Sequence, residues 1–122
     1  MNDQELLKAF LAEQKYMTLA VTLDDGTPWV TPVRIKNWKG KTFEWDSHVG
    51  TEHSKAIAMR PSIAISIYTP DSESTIQFGF YGHATAERMG EPNEHGIARY
   101  RVTVSKGFIN DASFKKREVE LG

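Results

Sequence analysis

The chain has 122 residues, enough for one domain over 1–122 and too few for a second substantial core. With 39% hydrophobic and 25% charged residues its composition is that of an ordinary soluble globular protein, and a net charge of −1 offers no basic field for nucleic-acid phosphates. The absence of cysteine excludes disulfides, thiolate metal sites and cysteine nucleophiles.

No apolar run reaches bilayer-spanning length, and the polar residues 1–4 do not open a secretory leader. A cytoplasmic address and no membrane partner are therefore expected. Residues 2–14 read as a helix: Leu6, Leu7, Phe10 and Leu11 recur at helical spacing, and Asn2 followed by Glu5 resembles a capping box. From Tyr16 the period changes to two, with Met17, Leu19, Val21 and Leu23 alternating with Thr18, Ala20 and Thr22 as in a half-buried strand. Asp24-Asp25-Gly26 is a hairpin signal, because glycine tolerates the positive φ such turns require.

The next run, residues 27–36, places Trp29, Thr31, Val33 and Ile35 on one face. Pro32 cannot donate to a ladder, which predicts an edge or bulged strand. Trp38-Lys39-Gly40 reads as a turn, residues 42–46 as a short strand and residues 47–50 as a loop. Thr51 is the expected N-cap of a short helix ending near Met59, because Pro61 blocks its continuation.

Residues 62–68 read as a strand with Ile63, Ile65 and Ile67 on one side, residues 69–74 as a loop, and residues 75–88 as the longest strand. A turn over 91–93, a short helix over 94–100 and a final strand over 101–104 follow. The mostly charged residues 114–120 read as a solvated tail or an arm that clasps a partner protein. Five or six antiparallel strands in so short a chain are expected to curl into a small barrel, which protects their edges.

Chemistry concentrates in Trp45-Asp46-Ser47-His48-Val49-Gly50-Thr51-Glu52-His53-Ser54-Lys55, where a strand runs into a helix start. Unpaired N–H groups and the positive end of the helix dipole attract an anion there, Thr51 and Ser54 add hydroxyls, and Lys55 adds a charge. That set suits a terminal phosphate. A capped surface helix whose Ser54 and Lys55 face water accounts for the same residues.

Several landmarks occur in order over roughly residues 15–88: Val33-Arg34-Ile35-Lys36, Phe43-Glu44-Trp45-Asp46, His53-Ser54-Lys55, Arg60-Pro61-Ser62-Ile63-Ala64, and Gln77-Phe78-Gly79-Phe80-Tyr81-Gly82-His83-Ala84. This series resembles the pyridoxamine 5'-phosphate oxidase-like FMN-binding split β-barrel family, in particular its small, general-stress-protein-like members. The resemblance implies a mainly β fold, an antiparallel six-stranded split barrel with short helices, dimeric and of the FMN-binding type.

It further implies that Ser54 and Lys55 hold the FMN phosphate with His53 close by. Thr31, Pro32, Val33, Arg34 and Lys36 would run along the isoalloxazine ring, Trp45 and Asp46 would lie near the ring or ribityl chain, and Gln77 would bond the flavin from the facing strand. The implied activity is oxidoreduction of a small organic substrate by a homodimer with flavin at its interface. A non-catalytic flavin- or haem-binding protein and a deazaflavin-dependent reductase are the alternatives on the same fold.

The chain departs from the vitamin-processing members in two ways. It has no tryptophan after Glu87, and His-Ser-Lys stands where those members have Ser-Arg-Lys. The histidines at 48, 53, 83 and 95 lack a spacing that favours a shared metal, and no elbow motif surrounds Ser54. Trp29, Trp38, Phe78, Phe80 and Tyr81 read as core or interface residues in the absence of a basic groove.

Overall fold

Local signals set the first elements. The computed structural model describes residues 2–69, 78–111 and 115–122. Helix α1 (Asp3–Ala12) begins at Asn2, whose side chain accepts the Glu5 N–H at 2.9 Å. Its buried Leu7 and Leu11 close one end of the core. Strands β1 (Tyr16–Thr22) and β2 (Pro28–Arg34) form the first hairpin, with Met17, Leu19 and Val21 buried as the period of two requires.

Strands β3 (Asn37–Lys39) and β4 (Thr42–His48) follow, then helix α2 (Glu52–Met59) and β5 (Ser62–Thr69). Strands β6 (Phe78–Arg88), β7 (Ile97–Asn110) and β8 (Arg117–Val119) complete the described chain. The sheet order is β2-β1-β5-β6-β7-β4-β3, with β8 paired to β7 and all described pairings antiparallel. The sheet curls until its two ends approach, and just past β2 the Lys36 N–H donates to the Glu44 carbonyl of β4 at 2.8 Å. The result is a mainly β split barrel with two short helices.

Pro32 sits on the outermost strand, where its missing donor removes no ladder bond. Among the described residues there are eight strands, where six were expected. The turn expected at Trp38-Lys39-Gly40 includes β3, whose three residues pair with Thr42, Phe43 and Glu44. The expected helix over 94–100 is instead a turn followed by strand. The Asn93 carboxamide oxygen accepts the His95 and Ile97 N–H groups, and Gly96 takes a positive φ of 78°.

Residues 101–104, expected as a last strand, are the middle of the 14-residue β7. Buried positions run Ala98, Tyr100, Val102, Val104 and then shift phase to Gly107 and Ile109. Ser105 is the extra residue, since His83 pairs with Lys106 while Ala84 pairs with Val104. The Ser105 hydroxyl donates to the His83 carbonyl there at 3.1 Å.

The expected solvated tail includes β8, which buries Val119 against β7. Of the loop expected over 69–74, Thr69 instead ends β5, and its remaining residues and the first residues of the 75–88 strand lie outside the described residues. Among the described residues no helix is long and apolar enough to cross a membrane.

Candidate functional site

The end of β4 and the start of α2 are tied together by short hydrogen bonds. The His48 carbonyl accepts from the Thr51 N–H at 3.2 Å, and His48 Nδ1 accepts from the Gly50 N–H at 2.9 Å. Thr51 caps the helix as expected, its side-chain oxygen accepting the Ser54 N–H at 3.2 Å. The first-turn N–H groups of Glu52 and His53 have no intrahelical acceptor.

The His-Ser-Lys triplet fans around this helix. His53 turns inward, where its Nε2 lies 3.0 Å from Ser47 Oγ and 3.4 Å from Thr51 Oγ1. Ser54 is also buried, with its Oγ 2.7 Å from Thr51 Oγ1. Lys55 points to solvent and meets the Glu52 carboxylate at 3.5 Å. An exposed pair of this kind holds its lysine weakly.

Burial pushes the His53 pKa below its ordinary 6.5. The folded protein therefore keeps the imidazole neutral in a range where the unfolded chain takes up a proton. This contribution to stability is complete above about pH 6.5 and falls as the pH drops through the folded-state value, by at most about 1.4 kcal/mol per pH unit. Urea unfolding from about pH 8 to about pH 5 should show that decline, and a flatter profile in His53→Gln. The same decline in both proteins would assign it to another group.

Two clefts flank α2. The larger, of about 640 Å³, lies between α2 and the ends of β6 and β7, and its lining includes Ser54, Lys55, Ile57, Ala86, Arg88 and Tyr100. The smaller, of about 310 Å³, faces the β1–β2 turn and includes Asp24, Asp25, Glu52, Lys55 and Arg60. Arg60 spans that second cleft, donating to the Thr22 carbonyl at 2.8 Å and to Asp24 at 2.5 Å.

The other residues singled out from the sequence lie elsewhere. Thr31, Pro32, Val33 and Arg34 lie on edge strand β2, Lys36 follows it, and none of them lines either cleft. Val33 is buried, whereas Arg34 sits over the Tyr16 ring, 5.6 Å from its centroid. Lys36 is exposed. The Trp45 side chain is wholly buried and stacks on Tyr100 with ring centroids 5.5 Å apart, so it faces the interior rather than a surface where a ring could rest. Gln77 lies outside the described residues.

Asp46 belongs to a charged lattice that sequence reading did not find. Arg99 on β7 donates to Asp46 at 2.6 Å and to Glu44 at 3.0 Å, and Arg101 donates to Glu44 at 3.2 Å. The Arg99 guanidinium, opposed by partial burial and helped by Arg101 and Asn37, holds the Glu44 carboxyl below its usual range. The pattern is invisible in sequence because it depends on Glu44 pairing with Arg101 and Asp46 with Arg99 across strands. Arg88 and Tyr100 were missed for the same reason, being opposite one another across β6 and β7.

An antiparallel sheet curled into a half-open barrel, with a capped helix at its mouth, defines a split-barrel protein. A family model described as pyridoxamine 5'-phosphate oxidase matches residues 4–120, and the chain belongs to that family. No curated protein sequence matches it.

Among solved structures, a heme-binding protein from Mycobacterium smegmatis superposes with a TM-score of 0.82 at 16% identity. That match covers 98% of this chain, which spans only 58% of the M. smegmatis protein. A Clostridium acetobutylicum protein related to general stress protein 26 of B. subtilis, of the pyridoxinephosphate oxidase family, gives 0.75 at 12% identity over 99% and 97% of the two chains. A FAD-binding protein from Mesorhizobium loti gives 0.75 at 12% identity over 92% and 96%. At these identities the likeness is one of fold.

Proposed function

We propose that this chain is an FMN-binding flavoprotein, a cytoplasmic homodimer that passes hydride or electrons to or from a small organic substrate. The observation that carries this reading is the donor set at the start of α2. Ser54 and the exposed Lys55 line a cleft of about 640 Å³, and the first-turn N–H groups of Glu52 and His53, which lack intrahelical acceptors, immediately precede them on the helix. All of these groups can donate, and the helix dipole adds to them, so a phosphate dianion fits while a cation does not. Glu52 is the opposing charge, and its loose contact with Lys55 yields readily to a phosphate.

In this reading Ser54 and Lys55 hold the phosphate, and the buried neutral His53 keeps the helix start in place. Edge strand β2 supplies main-chain groups to the polar edge of the ring around Thr31, Pro32 and Val33, and Arg34 and Lys36 supply charge. Asp46 on β4 and Gln77 serve the ribityl chain and ring in this reading, while Trp45 supports Asp46 from the core. Trp29 and Val30 on this strand are 43% and 63% exposed, an apolar surface suited to a second copy that closes over the flavin. Bound FMN supplies the hydride or electron transfer, and the chain binds, orients and shields it.

Lys55→Ala is expected to weaken FMN retention by about ten- to a hundredfold, the range of one charge-assisted hydrogen bond. The check is the visible spectrum of the protein after FMN is added and the excess removed. Undiminished flavin in the variant would sink the phosphate assignment.

Haem is the second reading, favoured by the likeness to the M. smegmatis heme-binding protein. A Soret band on adding haem, with no retained flavin, would replace the first reading with this one. Retained deazaflavin in place of FMN would keep the fold and phosphate site but change the cofactor.

A further inference from the structure

The row Trp45, Tyr100, Arg88 crosses three neighbouring strands at directly paired positions, so the three side chains share the inner face of the sheet. Trp45 is the buried end of the row and Arg88 the exposed end, at the barrel mouth. Tyr100 stands between them, 3% exposed, and lines the larger cleft. Its hydroxyl has no hydrogen-bond partner among the described residues. The hydroxyl oxygen is not closed off from solvent, since Trp45 Nε1, not this atom, is the buried side-chain polar atom left without a partner among the described residues.

The rest of the cleft complements that free donor. Ile57, Met59 and Ala86 provide apolar walls, and Met59 is mostly exposed. Among the described residues Arg88 meets only Glu91, at 4.0 Å, a loose surface contact that an entering anion displaces easily. Lys55 stands across the cleft at its lip. The lining also contains one carboxylate, Glu87, but its register partner is Arg101 on the outer face of the sheet, whereas Arg88 pairs with Tyr100.

We infer that this cleft is a binding site for an amphipathic organic carboxylate. The carboxylate takes the forked guanidinium of Arg88 and the Tyr100 hydroxyl, and the apolar body lies against Ile57, Met59 and Ala86. The site is separate from edge strand β2, where the flavin ring is placed, and it touches the cofactor reading through Ser54 and Lys55, which line the same cleft. It stands without that reading, because Arg88 and Tyr100 take no part in it.

The test is calorimetric titration of the full chain with 2-naphthoate and, in parallel, with neutral 2-naphthalenemethanol. The acid should bind about tenfold or more tightly than the alcohol, as a charged hydrogen-bonded contact implies. Arg88→Gln, at an exposed position, should remove that preference, and Tyr100→Phe should weaken the acid by about two- to tenfold. FMN retention should be unchanged in both variants. Equal affinity for acid and alcohol, or wild-type binding of the acid by Arg88→Gln, would overturn the site. Loss of FMN from Arg88→Gln or Tyr100→Phe would also overturn it, because the cleft would then be the cofactor's own.

Discussion

Trp45→Ala is expected to lower stability by about 3–5 kcal/mol, whereas Trp45→Phe should lower it by about 1 kcal/mol or less. Trp45 is wholly buried and stacked on Tyr100 with an interplanar angle of 16°, so truncation to alanine leaves a cavity beneath the cleft. Among the described residues its buried indole Nε1 has no acceptor. Leaving such a donor unpaired costs about 1–3 kcal/mol. Phenylalanine removes that donor while keeping an aromatic ring in the stack, so the lost volume and the relieved desolvation offset each other. Urea unfolding of the three proteins, with the slopes compared, measures both effects. A phenylalanine variant as unstable as the alanine one would show that the indole N–H contributes favourably after all.

Gly82→Ala should be at least as damaging, costing about 3 kcal/mol or more and sharply reducing the yield of folded protein. Gly82 pairs with Gly107 beside the bulge between β6 and β7. A Cβ at position 82 would run into the Lys106 carbonyl oxygen and lie 3.1 Å from the Gly107 Cα. Backbone atoms cannot swing aside as a flexible side chain does. Gly90 is the control, because it has a positive φ of 93° but open space around it, so alanine there meets backbone strain alone. Thermal melts of both variants decide the matter. Equal losses would show that the bulge yields and that the close approach is not a constraint.

The family resemblance, carried by an ordered set of short motifs, agreed with the family match over residues 4–120. Individual elements were legible where their signals are local. The Asn2 and Thr51 caps, the alternation in β1 and β5 and the chain-stopping Pro61 each act within a few residues. Pro32 also revealed an edge strand, because a missing donor is tolerated only there.

The failures share one cause. One extra residue at Ser105 breaks the alternation of β7, so its two halves do not read as a single strand. With only three residues each, β3 and β8 have too little pattern of their own and are strands because β4 and β7 lie beside them.

The candidate site divides along the same line. By itself, the sequence determined the capped helix start with Ser54 and Lys55, because those residues are neighbours on the chain. Only the tertiary structure decided that His53 turns into the core, that Arg99 occupies Asp46, and that Arg88 and Tyr100 meet at the cleft. Each of these outcomes depends on long-range packing or strand register. A shift of one residue in register moves every side chain of a strand to the opposite face.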